Sequence, residues 1–516
     1  MNTNRHTSII NSNFSPLVSL PSWPWQIVYR QAQERGSYVW LVGGAVRDLL
    51  RRRMPHDWDF AVDRDALRLA RQVADVLGGA YFPLDADRET GRVIVQSKEG
   101  IPQVLDFALL RGAGLAEDLR MRDFTINAMA VGNDGALIDV IGGYDDLLAG
   151  RIRATSERAF QDDPVRLLRA VRLAAQFHFE VDYQTMLWLQ RDSRLLMRCS
   201  AERVRDEFLY LLMLPGAVRH LRSCDQLGLL SQVIPELEPL KGMTQSPPHR
   251  FDVWQHVLYT VDTLEGVLAV ATGQIGAKKP PPGPADIPPT VWEDISQALG
   301  RYTDRTAAHL SVEVSGGRDR MVLLKLAALL HDVGKAHTRS QDADGRIHFY
   351  RHEQVGAGIA AERLRELRFS GDEIARMRVL VGQHARPAHL SRAERITRRA
   401  IYRYFRATGC AGLDVALFSL ADHLASRGPH LDPERWSRRL DVVQTLLTHW
   451  FEHYDETVAP SPLVTGRDLM SHLDLPSGPE IGRLLEAIRE AQAEGSVSTR
   501  AEALRLAKTL TANAEK

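Results

Sequence analysis

The stretch LVGGAVRDLLRRRMPHDWDF, residues 41–60, decides the fold of the N-terminal part of the chain. Gly43 and Gly44 open a predicted helix, and Asp57 and Asp59 flank a tryptophan in a predicted strand. Side chains alternate along a strand, so the two carboxylates share one face. Adjacent carboxylates repel each other unless a cation lies between them, and Mg²⁺ prefers such oxygen ligands together with substrate phosphates. The stretch therefore indicates a Mg²⁺ site beside a glycine turn that a phosphate can approach closely.

Each feature alone has an ordinary explanation, because a glycine pair is usually a turn and D-x-D is usually a solvated strand end. In this order and spacing they resemble the head of the polymerase-beta-type nucleotidyltransferases. More narrowly, they resemble the class II tRNA nucleotidyltransferase and bacterial poly(A) polymerase branch. The resemblance implies that Asp57 and Asp59 are catalytic metal ligands, and that Gly43, Gly44 and Arg47 contact the nucleotide.

A third carboxylate, Asp106, lies within the apolar segment Val104–Leu109. A buried, unpaired Asp is costly, so this side chain needs a metal ion, an arginine or a hydrogen-bonding partner. A strand-end position near solvent is the alternative. Beside Asp57 and Asp59, it is predicted to help activate the attacking 3′-hydroxyl.

The run RMRDFTINA, residues 120–128, is similar to the R-R-D-F-T-x-N-A motif of the class II enzymes, with Met121 in place of the first arginine. Arg122 is suited to clamping a triphosphate oxygen. Asp123 and Asn127 are suited to binding ribose or orienting the arginine. The following glycine-rich segment, residues 142–153, matches a family hinge, with a plain interdomain loop as the alternative.

The segment FQDDPVRLLRAVR, residues 160–172, is predicted to be a helix with Asp163 and Arg166 on one face. A simple intrahelical ion pair is the alternative. An Asp acceptor beside an Arg donor matches the amino donor and ring-nitrogen acceptor of cytosine and adenine, and mismatches uracil and guanine. The segment resembles the family's E-D-x-x-R motif, with Asp162 in place of Glu. Asp163, Arg166 and Arg169 are thus expected to bind the nucleotide.

A second site is predicted around the pair His331-Asp332, which follows an apolar helix. The pattern resembles the HD phosphohydrolase superfamily. That resemblance implies four ligands for one divalent ion, a transition metal or Mg²⁺: His256, His331, Asp332 and Asp422. His352 and His384 would extend the site or bind phosphate. A bound metal would lower the pKa of its water for phosphoester hydrolysis. The alternative is a domain retained as a tRNA-binding scaffold.

Composition limits the class of protein. The chain has 516 residues, 44% of them hydrophobic, and equal numbers of basic and acidic residues, 65 each. Three scattered cysteines, Cys199, Cys224 and Cys410, favour a reducing cytoplasm over a disulfide framework. No signal peptide or membrane-spanning run is evident in the sequence. Arginine-rich stretches at 150–222 and 392–406 are either solvated helix faces or an RNA-backbone track.

The predicted fold is an α/β head with a small mixed sheet, followed by an all-α neck, an HD-type helical body and a helical tail. The expected divisions are a disordered tail 1–22, head 23–150, neck 151–248, HD body 249–430 with a flexible insertion at about 266–318, and C-terminal tRNA-binding tail 431–516.

The predicted activity is transfer of CMP, with AMP as an open addition, from CTP or ATP to a tRNA 3′ end, without a membrane partner. A short connection at 110–116 resembles CC-adding relatives, which leave the terminal A to another enzyme. Poly(A) polymerase, an HD phosphohydrolase with an RNA-binding head, and a non-catalytic RNA-binding protein are the alternatives.

Overall fold

The computed structural model describes residues 18, 20, 23–96, 100–275, 282–428 and 431–514, without the side chains of 513 and 514. It contains two compact units. The first comprises Met1–Glu207 and Ser223–Gln232, and the second comprises Phe208–Arg222 and Val233–Lys516. Among the described residues, no helix combines the length and the apolar character needed to cross a bilayer.

The strands are β1 Val39–Val42, β2 Asp57–Val62, β3 Ala80–Asp85, β4 Thr90–Gln96, β5 Pro102–Leu109, β6 Met129–Val131, β7 Leu137–Asp139, β8 Arg151–Ile152, β9 Glu180–Val181, β10 Glu313–Ser315, β11 Arg318–Asp319, β12 Arg339–Gln341 and β13 Ile347–Phe349. Seven of them form the sheet of the first unit, in the order β3-β4-β5-β2-β1-β6-β7. β2 and β5 are parallel, and the other neighbours in this sheet are antiparallel. The predicted mixed sheet is confirmed.

The helices of the first part of the chain are α1 Trp25–Glu34, α2 Gly44–Leu50, α3 Ala66–Leu77, α4 Leu115–Arg120, α5 Gly143–Leu148, α6 Ala159–Asp162, α7 Arg166–Phe177, α8 Tyr183–Asp192, α9 Ala201–Met213, α10 Ala217–Gln226 and α11 Leu230–Val233. Those that follow are α12 Val253–Ala271, α13 Pro289–Leu299, α14 Thr303–Leu310, α15 Arg320–Leu330, α16 Lys335–Thr338, α17 His352–Glu366, α18 Gly371–Gln383, α19 Arg386–Leu390, α20 Arg398–Thr408, α21 Gly412–Arg427, α22 Pro433–Glu452, α23 Gly466–Leu473, α24 Pro479–Glu494 and α25 Arg500–Ala514.

Strand β2 separates a core face from a polar face. Trp58 is fully buried, and Phe60 stacks on Phe107 of β5 with 4.9 Å between ring centroids. Helix α3 packs against β4 and β5. Asp57 is exposed and Asp59 is half-buried on the opposite face, as the alternation predicts. The aromatic side chains therefore fix which way the two carboxylates point.

The sequence did not reveal two of the seven strands. β3 contains Pro83 and is largely exposed at the sheet edge, where a residue without a backbone N–H is tolerated. β7 has only three residues, too few for an alternating pattern to be recognised.

The helix predicted over 160–172 is interrupted, which corrects the expectation that Asp163 and Arg166 share a helical face. Helix α6 ends at Asp162, Asp163 has an extended backbone with φ −149° and ψ 96°, and α7 begins at Arg166. Pro164 explains the break, because a residue that precedes proline is disfavoured in the α conformation.

The expected flexible insertion at about 266–318 is also corrected. α12 continues to Ala271, and α13 and α14 fill most of the remaining range. Val291, Trp292 and Ile295 of α13 are buried, so this helix belongs to the core of its unit. The proline-rich run at 278–284 lies mostly outside the described residues.

The tail predicted at 1–22 lies outside the described residues except at positions 18 and 20. Val18 is buried, and its N–H donates to the carbonyl of Gly135 at 2.9 Å. The loose tail therefore does not include this residue.

The arginines of α20 and its approach are largely engaged within the second unit. Arg399 and Arg403 pair with Glu490, and Arg406 pairs with Glu486, both glutamates being on α24. These contacts favour a structural role for this cluster over an RNA-backbone track.

Candidate active site and metal centre

The parallel pairing of β2 and β5 brings two predicted carboxylates together. Asp59 lies opposite Asp106 in the register of the two strands. Burial raises the pKa of Asp59 to about 6, Arg122 opposes this shift, and Asp106 and Asp57 add to it. A divalent ion would offset the repulsion between these groups, so the donor set suits hard cations such as Mg²⁺.

Asp106 has an arginine partner, which was one of the three solutions expected for a carboxylate in an apolar strand. Arg92 of β4 donates from Nε to Oδ1 and from Nη2 to Oδ2, both at 2.8 Å. The two residues are directly opposite in the antiparallel β4–β5 register. Nothing in the linear sequence indicates this pair, because strand register is set by the whole sheet.

Gly43 lies between the acidic and basic parts of the site. Its φ is +72°, and an added Cβ would stand 3.0 Å from Oδ2 of Asp59 and 3.1 Å from Nη1 of Arg122. Glycine is required here both for the backbone conformation and for the space. Gly44 begins helix α2, as predicted. The space between the Asp59 carboxylate and the Arg122 guanidinium suits a metal-bound phosphate.

Arg122 is held in place by Asp118 on α4, a residue that sequence reasoning missed. Nε and Nη2 of Arg122 donate to Oδ2 of Asp118 at 3.1 and 3.0 Å. Burial favours the protonated carboxyl, but Arg122 and Arg111 outweigh it and lower the pKa of Asp118. The signal was the four-residue spacing between an acid and an arginine at a helix end. This contact leaves Nη1 of Arg122 on the side of Gly43.

The other residues expected at the nucleotide form one hydrogen-bonded network. Nη1 of Arg47 donates to Oδ1 of Asn127 at 2.6 Å, and Nδ2 of Asn127 donates to Oδ1 of Asp123 at 3.1 Å. Nη1 of Arg169 reaches Oδ2 of Asp123 at 3.4 Å. Despite its burial, the pKa of Asp123 is lowered by Arg169 and by these hydrogen bonds. The carboxylate is therefore charged and fixed in orientation.

Asp163 and Arg166 have different partners. Oδ2 of Asp163 accepts from Nη2 of Arg203 at 2.7 Å. Arg166 is buried and donates to the carbonyls of Met121, Arg122 and Ala159. Arg166 thus links α7 to the run at 120–128. These hydrogen bonds use at most three of its five N–H groups.

In the second unit, the predicted metal ligands converge from five helices. They are His256 on α12, His331 and Asp332 just after α15, His352 at the start of α17, His384 just after α18, and Asp422 on α21. The ligand atoms fall into two groups, each within 4.8 Å: one is His256, His331 and Asp422, and the other is Asp332, His352 and His384. All six residues are therefore gathered, although Asp332 falls in the second group and not with His256.

Three histidines are oriented by backbone carbonyls. Nδ1 of His331 lies 2.9 Å from Ala328 O, Nδ1 of His352 lies 2.8 Å from Phe349 O, and Nδ1 of His384 lies 2.7 Å from Val381 O. A carbonyl can only accept, so each Nδ1 carries the proton and each Nε2 is left as a ligand atom. Metal-binding histidines are usually fixed in this manner.

Asp332 connects the two groups. Its Oδ2 lies 3.2 Å from Nε2 of His331, and its Oδ1 lies 3.4 Å from Nε2 of His352. Nζ of Lys335 lies 2.7 Å from Oδ2 of Asp332. The three-residue spacing of the two residues in the sequence could have indicated this contact. Burial opposes ionisation, but His331 and Lys335 outweigh it and hold the pKa of Asp332 well below its usual range.

The charge states suit a divalent cation. His256, through a hydrogen bond and its charge, overcomes burial and lowers the pKa of Asp422. Burial first, then His331 and His352, lowers the pKa of His384 to about 4. Burial opposes protonation of His331, but Asp332 and Asp422 outweigh it and raise the pKa of this imidazole. Ionised carboxylates and neutral imidazoles are the forms that coordinate metal, so a bound ion would replace the proton on His331. Mixed His and Asp ligands fit a transition metal and also tolerate Mg²⁺.

Gly334 allows the helices of this site to approach each other. An added Cβ would stand 2.1 Å from His352 O and 2.6 Å from the N of Gly356. The first turn of α17, which carries His352, therefore rests directly on the backbone that follows Asp332.

The sequence comparisons agree with this division into sites. Residues 39–153 match the poly A polymerase head domain, 178–241 match the probable RNA and SrmB-binding site of polymerase A, and 296–425 match the HD domain. The fold and the sites thus define a nucleotidyltransferase head followed by RNA-binding and HD regions.

An A-adding tRNA nucleotidyltransferase of Deinococcus radiodurans is 33% identical over 470 residues, covering 90% of this chain and 93% of that protein. A CC-adding tRNA nucleotidyltransferase of Thermus thermophilus is also 33% identical over 470 residues, covering 90% and 91%. The chain belongs to the tRNA nucleotidyltransferase family.

Solved structures share the fold. A CCA-adding enzyme in complex with CTP has a TM-score of 0.58 at 21% identity, covering 95% of each chain. The Thermotoga maritima CCA-adding enzyme in complex with tRNA has a TM-score of 0.54 at 20% identity, covering 94% of each chain.

The close approach at Gly334 leads to a first prediction. Gly334→Ala should lower the free energy of unfolding by about 2–4 kcal/mol, because the new methyl group collides with backbone that cannot rotate away. It should also weaken metal binding by displacing His352. Urea unfolding and metal titration measure the two effects. Gly358→Ala, on α17 with nothing within 4 Å of the added Cβ, is the matched control and should be neutral or slightly stabilising. Equal effects of the two substitutions would contradict the argument.

The raised pKa of Asp59 leads to a second prediction, for metal-free protein. The folded pKa of about 6 exceeds the ordinary 3.8, so the folded state retains a proton that the unfolded state loses. Wild-type stability should therefore fall relative to Asp59→Asn as pH rises from about 4 to 6, and Mg²⁺ should reverse that loss. Urea unfolding of both proteins at pH 4 and 7.5 measures the difference. A wild-type-minus-variant difference that does not change with pH would contradict it.

Proposed function

We propose that the chain transfers CMP, and as an alternative also AMP, from CTP or ATP to the 3′ end of a tRNA, releasing pyrophosphate. The observation that carries this proposal is the placement of Asp57, Asp59 and Asp106 on adjacent strands, with Arg122 across Gly43. The Asp59 carboxylate, which can bind a cation, and the Arg122 guanidinium, which can bind a phosphate, lie on opposite sides of Gly43. Family membership and relatives that add A or CC to tRNA support the same reaction.

The residues of the head would share the work as follows. Asp57 and Asp59 would hold Mg²⁺, which when bound neutralises triphosphate charge and makes the 3′-hydroxyl easier to deprotonate. Arg122, braced by Asp118, would hold a triphosphate oxygen. Asp106 would orient the attacking hydroxyl, with its carboxylate kept in place by Arg92. The network of Arg47, Asn127, Asp123 and Arg169 would position the nucleotide. These residues contribute by orientation and electrostatic stabilisation.

Base selection is assigned to Asp163 and Arg166. The extended backbone at Asp163 frees its side chain from the helix, and its contact with Arg203 holds the carboxylate as an acceptor. Arg166 retains N–H donors beyond those given to backbone carbonyls. An acceptor for the exocyclic amino group and a donor for the ring nitrogen favour cytosine and adenine over uracil and guanine.

The number of nucleotides added is linked to the connection between β5 and α4. Only residues 110–114 join these elements, too few for a long mobile loop. This brevity supports addition of CC without A. The relatives include both an A-adding and a CC-adding enzyme at the same identity, so a direct assay decides between the two.

A second activity, metal-dependent phosphoester hydrolysis, is favoured by the oriented Nε2 atoms of His331, His352 and His384. Six residues would hold one or two divalent ions. The ion would supply a hydroxide from bound water, and the products would be a phosphate and an alcohol. The free thiols of the described cysteines and the tRNA-processing relatives support a cytoplasmic location for both activities.

A third prediction tests the transferase. The chain, Mg²⁺ and a tRNA transcript lacking CCA are incubated with CTP, with ATP and with both, and products are resolved at single-nucleotide length. We expect growth by two with CTP and no further growth with ATP. Asp59→Ala should reduce addition at least about 10³-fold, because it removes a metal ligand, whereas exposed Asp87→Ala should not. Growth by three with both nucleotides would replace CC addition by CCA addition, and no growth on this transcript or on one ending in CC would refute the transferase.

A fourth prediction separates the two sites. His331→Ala should lower divalent-metal affinity of the second unit by about 10–100-fold or more, because it removes one ligand. It should leave nucleotide addition by the head unchanged. Bound metal is measured after dialysis by elemental analysis, and phosphoester hydrolysis is assayed in parallel. Exposed His337→Ala is the control. Undiminished metal content in His331→Ala would contradict the assigned ligand set.

A further inference from the structure

The proposed metal ligands of the second unit line only one part of a larger cavity of about 710 Å³. Asp332, His352, His384 and Asp422 contribute to its wall. A volume in this range accommodates a nucleotide-sized ligand, far more than a metal ion with one phosphate. The rest of the cavity must therefore be explained by something other than metal binding.

The remaining wall is strongly basic. It includes Arg392 after α19, Arg427 at the end of α21, and Arg435, Arg438 and Arg439 on α22. Arg435 and Arg438 have acidic neighbours on their own helix, Asp432 and Glu434. Within the described part of the chain, Arg392, Arg427 and Arg439 form no ion pair. Among the residues that the structure describes, the carboxylates lining the cavity are those of Asp332 and Asp422, both assigned to the metal.

Arg439 is the most telling of these residues. It is only 6% exposed, it lines the cavity, and its buried Nε has no hydrogen-bond partner among the described residues. Burial lowers the pKa of Arg439 to about 10; the carboxylate of Asp422 opposes this shift, and Arg427 and Arg392 add to it, so the guanidinium still carries its charge at neutral pH. A buried cation with an unsatisfied N–H and no ion-pair partner among the described residues is costly, and this cost is reduced when an anion binds beside it.

One of the arginines lies on the same helix as a proposed metal ligand. Arg427 follows Asp422 by five residues on the same helix, α21, and five helical residues rise about 7.5 Å. This separation along the backbone leaves room for two phosphates that share no bridging oxygen, such as two phosphates on different oxygens of one ribose.

We propose that Arg439, Arg427 and Arg392 form a subsite for a second phosphate, so that the cavity takes a nucleotide with one phosphate at the metal ligands and another on a separate ribose oxygen. This inference rests on the proposed hydrolase for the fate of the first phosphate, but the arginine subsite binds with or without turnover. The same chemistry is present in a free nucleoside bisphosphate and in a nucleotide within an RNA strand.

The test is equilibrium dialysis of the full chain with adenosine 3′,5′-bisphosphate, adenosine 5′-monophosphate, adenosine 5′-diphosphate and the dinucleotide pApA. We expect the bisphosphate to bind at least about tenfold more tightly than the monophosphate, as one added charged contact would give. Arg439→Gln and Arg427→Gln should each reduce that ratio about tenfold, and exposed Arg378→Gln on α18 should not. The nucleotide site of the head is the same in all variants, so these differences report on the cavity.

Each outcome bears on the inference. A bisphosphate-to-monophosphate ratio that is the same in all variants would overturn it, and so would diphosphate binding as tight as that of the bisphosphate. Preference for pApA over the bisphosphate would support the subsite and identify an RNA strand as its source of phosphate. Binding through these arginines without hydrolysis of any ligand would refute the hydrolase and support the subsite. Because Arg427 is only partly buried, its variant provides the answer if Arg439→Gln does not fold.

Discussion

The parallel pairing of β2 with β5 places two like charges, Asp59 and Asp106, side by side in the sheet. The rest of the head is arranged around this unfavourable contact. Arg92 neutralises one carboxylate from β4, and Gly43 leaves open space beside the other. Arg122 contributes positive charge across that space. In the metal-free state the repulsion between the carboxylates is unfavourable. A bound cation would relieve it, so the same arrangement gives the site its affinity for a cation.

Much of the head could be predicted because its signals are local in sequence. Strand alternation at Asp57–Val62 gives the direction of each side chain without knowledge of the neighbouring strands. Contiguous motifs such as the run at 120–128 are confined to one short segment, so their residues stay together in any fold. The HD ligands were predicted from a family pattern, and the structure gathers all six of them.

The sequence was less informative wherever a contact depends on distant elements or on a single backbone break. Arg92 meets Asp106 only through sheet register, and α13 is recognised as core only when its burial is known. Asp163 was placed on a helix because its spacing from Arg166 fits one. The effect of Pro164 on the preceding residue should have prevented that interpretation. The arginines that line the cavity of the second unit come from α21, α22 and the segment after α19, and no short sequence motif connects them.

Four of the six residues proposed to hold the HD metal lie at or just beyond helix ends, at His331, Asp332, His352 and His384, where a helix would otherwise fray most easily. An ion bound there would close long loops between α12 and α21 and would bind the folded state alone. Local opening of these helix ends would then require release of the ion, so the bound metal would slow local unfolding and proteolytic cleavage. Through this coupling, the supply of divalent cations would influence how long the second unit survives in the cell, independently of any reaction it performs.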